Sequence, residues 1–400
     1  MRLTSIQALR GFAALLVFAY HLSFVERDAI AANGLSETAL VGGLWTNGYA
    51  GVDLFFVISG FIMVFVTGAA TPSGHTSGAF LFARAARIYP LWWIFATAMA
   101  LYYLSVYGIP YDVEREMHGQ VLDQNPALHL FYSYMLLPQG NWPVLGVGWT
   151  LVHELYFYVV FAAFLLLPRR YLPALLAGWA FVVTGGWWMG WSGVFANDLP
   201  ALIFYPMTIE FILGAFVGLA VVNGWRFRPR LISSLAAVAF VIALALQGAE
   251  DEALLQWGRV LWYGVPCALV VYGVACLDIV GEWRMPKIFT DIGDWSYALY
   301  LSHMLTLSTL RRALPEAADS LEALDGPIAG LAPLLRVGTP GLADNIVFLV
   351  LAIVTTLAVA WASHRYLERP LLRLAGKMRA GLFDASRTNL RPLPLRASVW

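Results

Sequence analysis

Ser5-Ile6-Gln7-Ala8-Leu9-Arg10-Gly11-Phe12-Ala13-Ala14-Leu15-Leu16-Val17-Phe18-Ala19-Tyr20-His21 reads as an apolar helix that carries one arginine and one histidine. Eleven positions separate Arg10 from His21. Eleven steps of about 100° make roughly three turns, so both side chains share a face, about 16 Å apart along the axis. Ionisable groups at membrane depth are costly, and two on one face mark a functional site. A plainer reading fits the same residues: Arg10 snorkels to the interface and His21 closes the far end.

Working outward, the rest of the chain is built of similar runs. Of its 400 residues, 60% are hydrophobic and 12% charged, against roughly half and a quarter in an ordinary soluble domain. Ten candidate spans lie near 6–25, 51–68, 86–106, 149–167, 172–191, 201–222, 231–248, 257–278, 293–310 and 343–363. Each approaches the roughly 20 residues a spanning helix needs. The fold class is an all-α polytopic membrane protein, a bundle of about ten transmembrane helices. The patch Leu128–Leu137 is too short to span and belongs at the interface or in a re-entrant segment. The zero net charge gives no support to nucleic-acid binding. The 16 Trp and 18 Tyr fit interfacial belts. Cys267 and Cys276 fall on opposite faces of one apolar run and do not pair.

The start of the chain imitates a signal peptide, with Arg2, an apolar run and Ala29-Ile30-Ala31. Arg10 interrupts that pattern, and Glu26, Arg27 and Asp28 crowd the cleavage point, so the segment is expected to be retained. Ten spans put both termini on one side. That side collects Arg2, Arg84, Arg87, Arg169, Arg170, Arg226, Arg228, Arg230, Arg284, Lys287 and the tail cations from Arg365 to Arg396. The other holds only Arg27, Arg115, Arg259, Arg311, Arg312 and Arg336. The asymmetry predicts cytoplasmic termini. The outer loops 107–148 and 311–342 are then long enough to meet an acceptor, and Ala249-Glu250-Asp251-Glu252 joins them. The polar, basic residues 373–400 form a flexible cytoplasmic tail.

The polar residues inside the spans are the candidates for chemistry. Asp53, in Gly51-Val52-Asp53-Leu54-Phe55-Phe56-Val57-Ile58-Ser59-Gly60-Phe61, is placed to pair with His21 or to cap its helix; Gly51 and Gly60 allow close packing. Arg84 and Arg87 share a face at i, i+3, as a fork for phosphate oxygens or as positive-inside anchors. Glu154, in Gly148-Trp149-Thr150-Leu151-Val152-His153-Glu154, needs a partner or a proton. Glu210 is a second buried acid. Ser296, Tyr300 and His303 form a polar stripe at i, i+4, i+7, lining a channel or gluing helices together. His21 and His303 lack the surrounding ligands a metal site needs.

In order, these pieces resemble the acyltransferase-3 family of membrane acyltransferases. The Arg-x10-His signature matches Arg10 and His21. Further matches are the stretch 51–61, the Arg84/Arg87 pair, Trp149-Thr150-Leu151-Val152-His153-Glu154, the Ser-Tyr-x-x-Tyr-Leu-x-His element from Ser296 to His303, and Tyr366-Leu367-Glu368-Arg369-Pro370. Thr150 stands where the family usually has Ser and keeps the hydroxyl. The resemblance covers about residues 3–372, so 1–372 is read as one transmembrane domain. It is strongest to bacterial exopolysaccharide O-acetyltransferases.

The resemblance implies an inner-membrane enzyme that takes an acyl group, often acetyl, from cytoplasmic acyl-CoA and passes it to a hydroxyl of a glycan or lipid-linked sugar. Arg10, Arg84 and Arg87 would meet the phosphates of acetyl-CoA, with Ser296, Tyr300 and His303 along its channel. His21 would act as general base, with Glu154 or Asp53 stabilising its imidazolium; an acyl-imidazole on His21 is the rival mechanism. The competing function is a transporter or flippase of a lipid-linked or small organic substrate, which buried charges permit but the missing repeat symmetry does not favour. A non-catalytic scaffold would have no use for so many polar groups at membrane depth.

Overall fold

The computed structural model describes residues 3–32, 39–108, 125–193, 198–246, 257–283, 285–324, 326–339 and 341–383. Arg2, Arg115, Arg284, the acidic stretch 249–252 and the tail from 384 lie outside the described residues. Among the described residues there are helices and no strands.

α1 (Thr4–Ala32) is followed by a 3-10 segment, Gly43–Ala50, that runs into α2 (Gly51–Val66). α3 (Gly74–Tyr107) is 34 residues long. α4 (Pro126–Met135), with 10 residues, is the short apolar patch, and α5 (Trp149–Phe164) follows it. Next come α6 (Leu172–Trp188), α7 (Leu199–Ile203), α8 (Thr208–Val222) and α9 (Pro229–Leu246). α10 (Trp257–Arg259) continues through a π-helical turn, Val260–Gly264, into α11 (Val265–Ile279). α12 (Lys287–Asp294) leads into α13 (Ser296–Glu322). α14 (Ala343–Ser363) passes through a second π turn, His364–Glu368, into α15 (Arg369–Leu382).

Among the described residues, eight helical segments are long and apolar enough to cross a membrane. Two of the ten expected spans are helices that fall short. α6 has only 17 residues. α13 lies where a span is expected, but Ser296, Tyr300, Ser302 and His303, then Arg311 and Arg312, dilute its apolar run. The protein is an all-α, multi-pass membrane protein.

Helix approach is set by small residues, as membrane packing requires. A Cβ on Gly60 would fall 1.9 Å from Phe211 O, and one on Gly214 2.0 Å from Val57 O, so α2 and α8 meet backbone to backbone. The same holds where Gly11 of α1 faces Gly293 of α12. α1 lies at the centre, with Ala13, Ala14, Leu16 and Val17 buried. Its start is tied to the end of α11, because Ser5 N and Ser5 Oγ each donate to Asp278 Oδ2 at 2.8 Å. Residues 373–382, expected as flexible tail, are helical, and the chain then rests Phe383 against His75 and Phe82.

Candidate functional site

A cavity of about 220 Å³ opens between α1, α2, α3, α5 and α13. Arg10, Arg84, Arg87, Glu154 and Tyr300 all line it. Five residues singled out in the sequence, from four helices, therefore converge. Arg84 stacks its guanidinium near Phe80 and Tyr158, 5.8 and 5.9 Å from the ring centres. Its Nε is buried with no hydrogen-bond partner among the described residues, a donor that invites an acceptor from a ligand. Glu154 accepts from Ser59 Oγ at 2.9 Å and from the Tyr158 hydroxyl. Arg10 shares the cavity lining with Glu154 and with the like charge of Arg87.

At the inner end of the cavity, the hydroxyls of Thr150 and Tyr300 are 2.7 Å apart. Each is 3.0 Å from Val147 O. The threonine thus makes the bridge that its hydroxyl permits. One turn further along α13 stands His303, fully buried, its ring 6.0 Å from that of Tyr300.

His303 faces His21. Their ring centres are 4.9 Å apart, and His303 Nε2 is 3.2 Å from His21 Nδ1. Each Nδ1 also meets the carbonyl four residues earlier: Val17 O at 2.9 Å for His21, and Leu299 O at 3.1 Å for His303. Carbonyls only accept, so both rings carry a proton on Nδ1. The single Nδ1–H of His21 is then shared between Val17 O and His303 Nε2, and the lone pair of His21 sits on Nε2. The two histidines thereby form a polarised pair with a basic atom at one end.

The carboxylates are distributed differently from the sequence reading. Asp53, expected to pair with His21, has both oxygens held by Arg259: Nε donates at 2.9 and 3.0 Å, and Nη2 at 2.8 Å. Arg259 also donates to Tyr49 O at 3.0 Å and stacks 4.8 Å over the Tyr49 ring. Asp53 and Arg259 are both buried. Glu154, the other carboxylate expected beside the imidazole, keeps company with the arginines. It lies one turn from Thr150 on α5, while His303 lies one turn from Tyr300 on α13, in the opposite sense. The helix rise separates the two by about 10 Å along the bundle. Ser296 is buried with its Oγ unpartnered among the described residues, and its neighbour Tyr297 lines the cavity instead.

Sequence reasoning left several neighbours without a role. Tyr158 is one turn beyond Glu154, so its spacing was a usable signal. Tyr297 donates to Ile88 O at 2.9 Å and was hidden by the stripe on the adjacent face. Glu368 is buried and pairs with His364 Nδ1 at 2.7 Å. The π turn that carries it has no sequence signature. Glu210 packs against Gly264, and both its oxygens lack partners among the described residues.

Comparison with known proteins gives a consistent picture. The family model described as "Acyltransferase domain" matches residues 3–365. "Exopolysaccharide production protein ExoZ" of Rhizobium meliloti (strain 1021) is 30% identical over 350 residues, covering 85% of this chain and 95% of that protein. "Acyltransferase MdmB" of Streptomyces mycarofaciens is 26% identical over 411 residues, covering 95% of this chain and 94% of that one. No solved structure matches the chain.

Proposed function

The chain belongs to the acyltransferase-3 family of membrane O-acyltransferases, and we propose that it moves an acetyl or similar acyl group from acyl-CoA to a hydroxyl of a glycan or lipid-linked sugar. The observation that carries this reading is the convergence of Arg10, Arg84 and Arg87 on one cavity whose inner end lies one helical turn from the His21–His303 pair.

The phosphates of the donor meet the three arginines. Arg offers a fork of N–H donors matched to phosphate oxygens. Three turns of α1, about 16 Å, separate Arg10 from His21, and an extended pantetheine arm spans a comparable length. The positive-inside asymmetry puts the arginine end in the cytoplasm of an inner membrane, where acyl-CoA is found.

A sugar hydroxyl is a weak nucleophile. His21 Nε2 takes its proton as the oxygen attacks the thioester carbonyl, help worth about 10²–10⁴-fold. The tetrahedral species collapses with cleavage of the C–S bond. The imidazolium returns its proton to the departing CoA sulfur, so ester and free thiol are the only products. His303 accepts from His21 Nδ1–H throughout and holds the ring in the productive tautomer. We assign the oxyanion to the Thr150–Tyr300 hydroxyl pair, which stands one turn along α13 from His303. Glu154 offsets the charge of the arginine cluster and orients Tyr158. The name of the Rhizobium relative, an exopolysaccharide production protein, supports a glycan acceptor.

The test is a titration of purified protein with acetyl-CoA. Arg84→Ala with Arg87→Ala should weaken binding at least about tenfold, each lost charge-assisted bond being worth roughly 1.5–3 kcal/mol. Unchanged affinity would reduce the pair to membrane anchors.

A further inference from the structure

A second cavity, of about 460 Å³, lies where α8 turns into α9 against the end of α11. Trp225-Arg226-Phe227-Arg228-Pro229-Arg230 forms the turn, alternating aromatic residues or proline with arginine. Arg226, Arg228 and Arg230 line the cavity together with Glu282 and Cys276. Glu282 pairs with Arg230 at 3.0 Å, so the lining keeps a net formal charge of +2. Trp225 and Phe227 are 72% and 70% exposed, as aromatic anchors are at a membrane interface, and the Arg228 guanidinium stacks 5.5 Å over the Phe227 ring.

The turn is held in a strained shape. Arg228 has φ 40°, a left-handed conformation that a non-glycine residue adopts at a cost. Cys276 Sγ meets Trp225 O at 3.7 Å and pins the turn to α11. Three arginines offset by a single carboxylate leave the cavity with excess positive charge, which suits a ligand with negative charge.

The cavity also has an apolar continuation. Leu231 lines it, and Leu231, Leu235, Val238 and Ile242 lie at i, i+4, i+7 and i+11 on one face of α9. All four are exposed. A basic pocket thus stands at the head of an aliphatic track along a spanning helix. Basic pockets at membrane depth bind anionic headgroups, and only a lipid would use both parts.

We propose that this cavity seats the phosphate of an anionic phospholipid, whose acyl chains lie along the exposed face of α9. Its place in the bundle is at the same end as the start of α1, because Ser5 is bonded to Asp278 of α11. The site stands apart from the cavity of Arg10, Arg84 and Arg87, with no lining residue in common.

The experiment is native mass spectrometry of the full chain in detergent, with phosphatidylglycerol or phosphatidylcholine added. Wild type should retain phosphatidylglycerol preferentially. The variant R226Q/R228Q/R230Q should lose that preference by on the order of tenfold, and R226K/R228K/R230K should keep most of it. Arg228→Gln alone, at an exposed position, should give a several-fold loss and serves if the triple variant does not fold. Equal retention of both lipids by wild type, or unchanged retention by Arg228→Gln, would overturn the proposal. Displacement of phosphatidylglycerol by inorganic phosphate or by CoA would also overturn it, since the pocket would then serve a soluble phosphate.

Discussion

His303 Nε2 lies 3.2 Å from His21 Nδ1 across the seam between α1 and α13. With Leu299 O and Val17 O as the neighbouring acceptors, the pair has one direction of polarisation, from Leu299 through both rings to His21 Nε2. This makes His303 a positioning residue. It fixes the tautomer of its partner and stabilises the imidazolium that forms when His21 takes a proton.

His303→Ala should therefore lower kcat by about tenfold to a hundredfold, less than loss of the base itself, while the KM for acyl-CoA holds steady. His303→Gln, which offers an acceptor to Nδ1–H, should recover part of the rate. A fall in donor affinity equal to the fall in kcat would assign His303 to donor binding.

Asp53 and Arg259 form a buried ion pair between α2 and α10. Removing one partner strands the other charge. Asp53→Asn should destabilise the protein by about 3–5 kcal/mol, and Asp53→Leu with Arg259→Met should recover most of that. Thermal unfolding of the single and double variants in detergent checks this. Additive losses would mean that the two side chains act independently.

The α2–α8 contact rests on glycine. With a Cβ on Gly60 falling 1.9 Å from Phe211 O, Gly60→Val must push the helices apart. A loss of about 1–3 kcal/mol or more is expected, read as a lowered melting temperature with earlier aggregation. Gly74→Val, where a Cβ would meet nothing within 4 Å, should cost far less. Similar melting temperatures for the two would contradict the packing.

The legible parts of this chain were those with helical periodicity. Arg84 and Arg87 at i, i+3, Glu154 inside an apolar run, and Tyr300 on the stripe with His303 could each be placed on a helix face from spacing alone. That all but His303 line one cavity together with Arg10 follows from helix packing, which periodicity does not carry. Asp53 shows the limit. Its carboxylate was visible, but its partner Arg259 stands 206 positions away and looked like an outer-loop charge. Local sequence holds no signal for a contact of that separation. The π turns after Arg259 and around Glu368 were equally hidden, since the extra residue that re-aims each side chain leaves no mark on an apolar pattern. The shortness of α6 and the polarity of α13 also separate the expected ten spans from the eight that length and apolarity support.

The most direct measurement is release of CoA from labelled acetyl-CoA by purified protein in lipid nanodiscs, with His21→Ala run beside wild type. Release by wild type, even as slow hydrolysis without an acceptor, and its loss in a variant that still binds acetyl-CoA is the expected result. Equal turnover by both proteins would contradict the role given to His21 and move the chemistry away from the histidine pair.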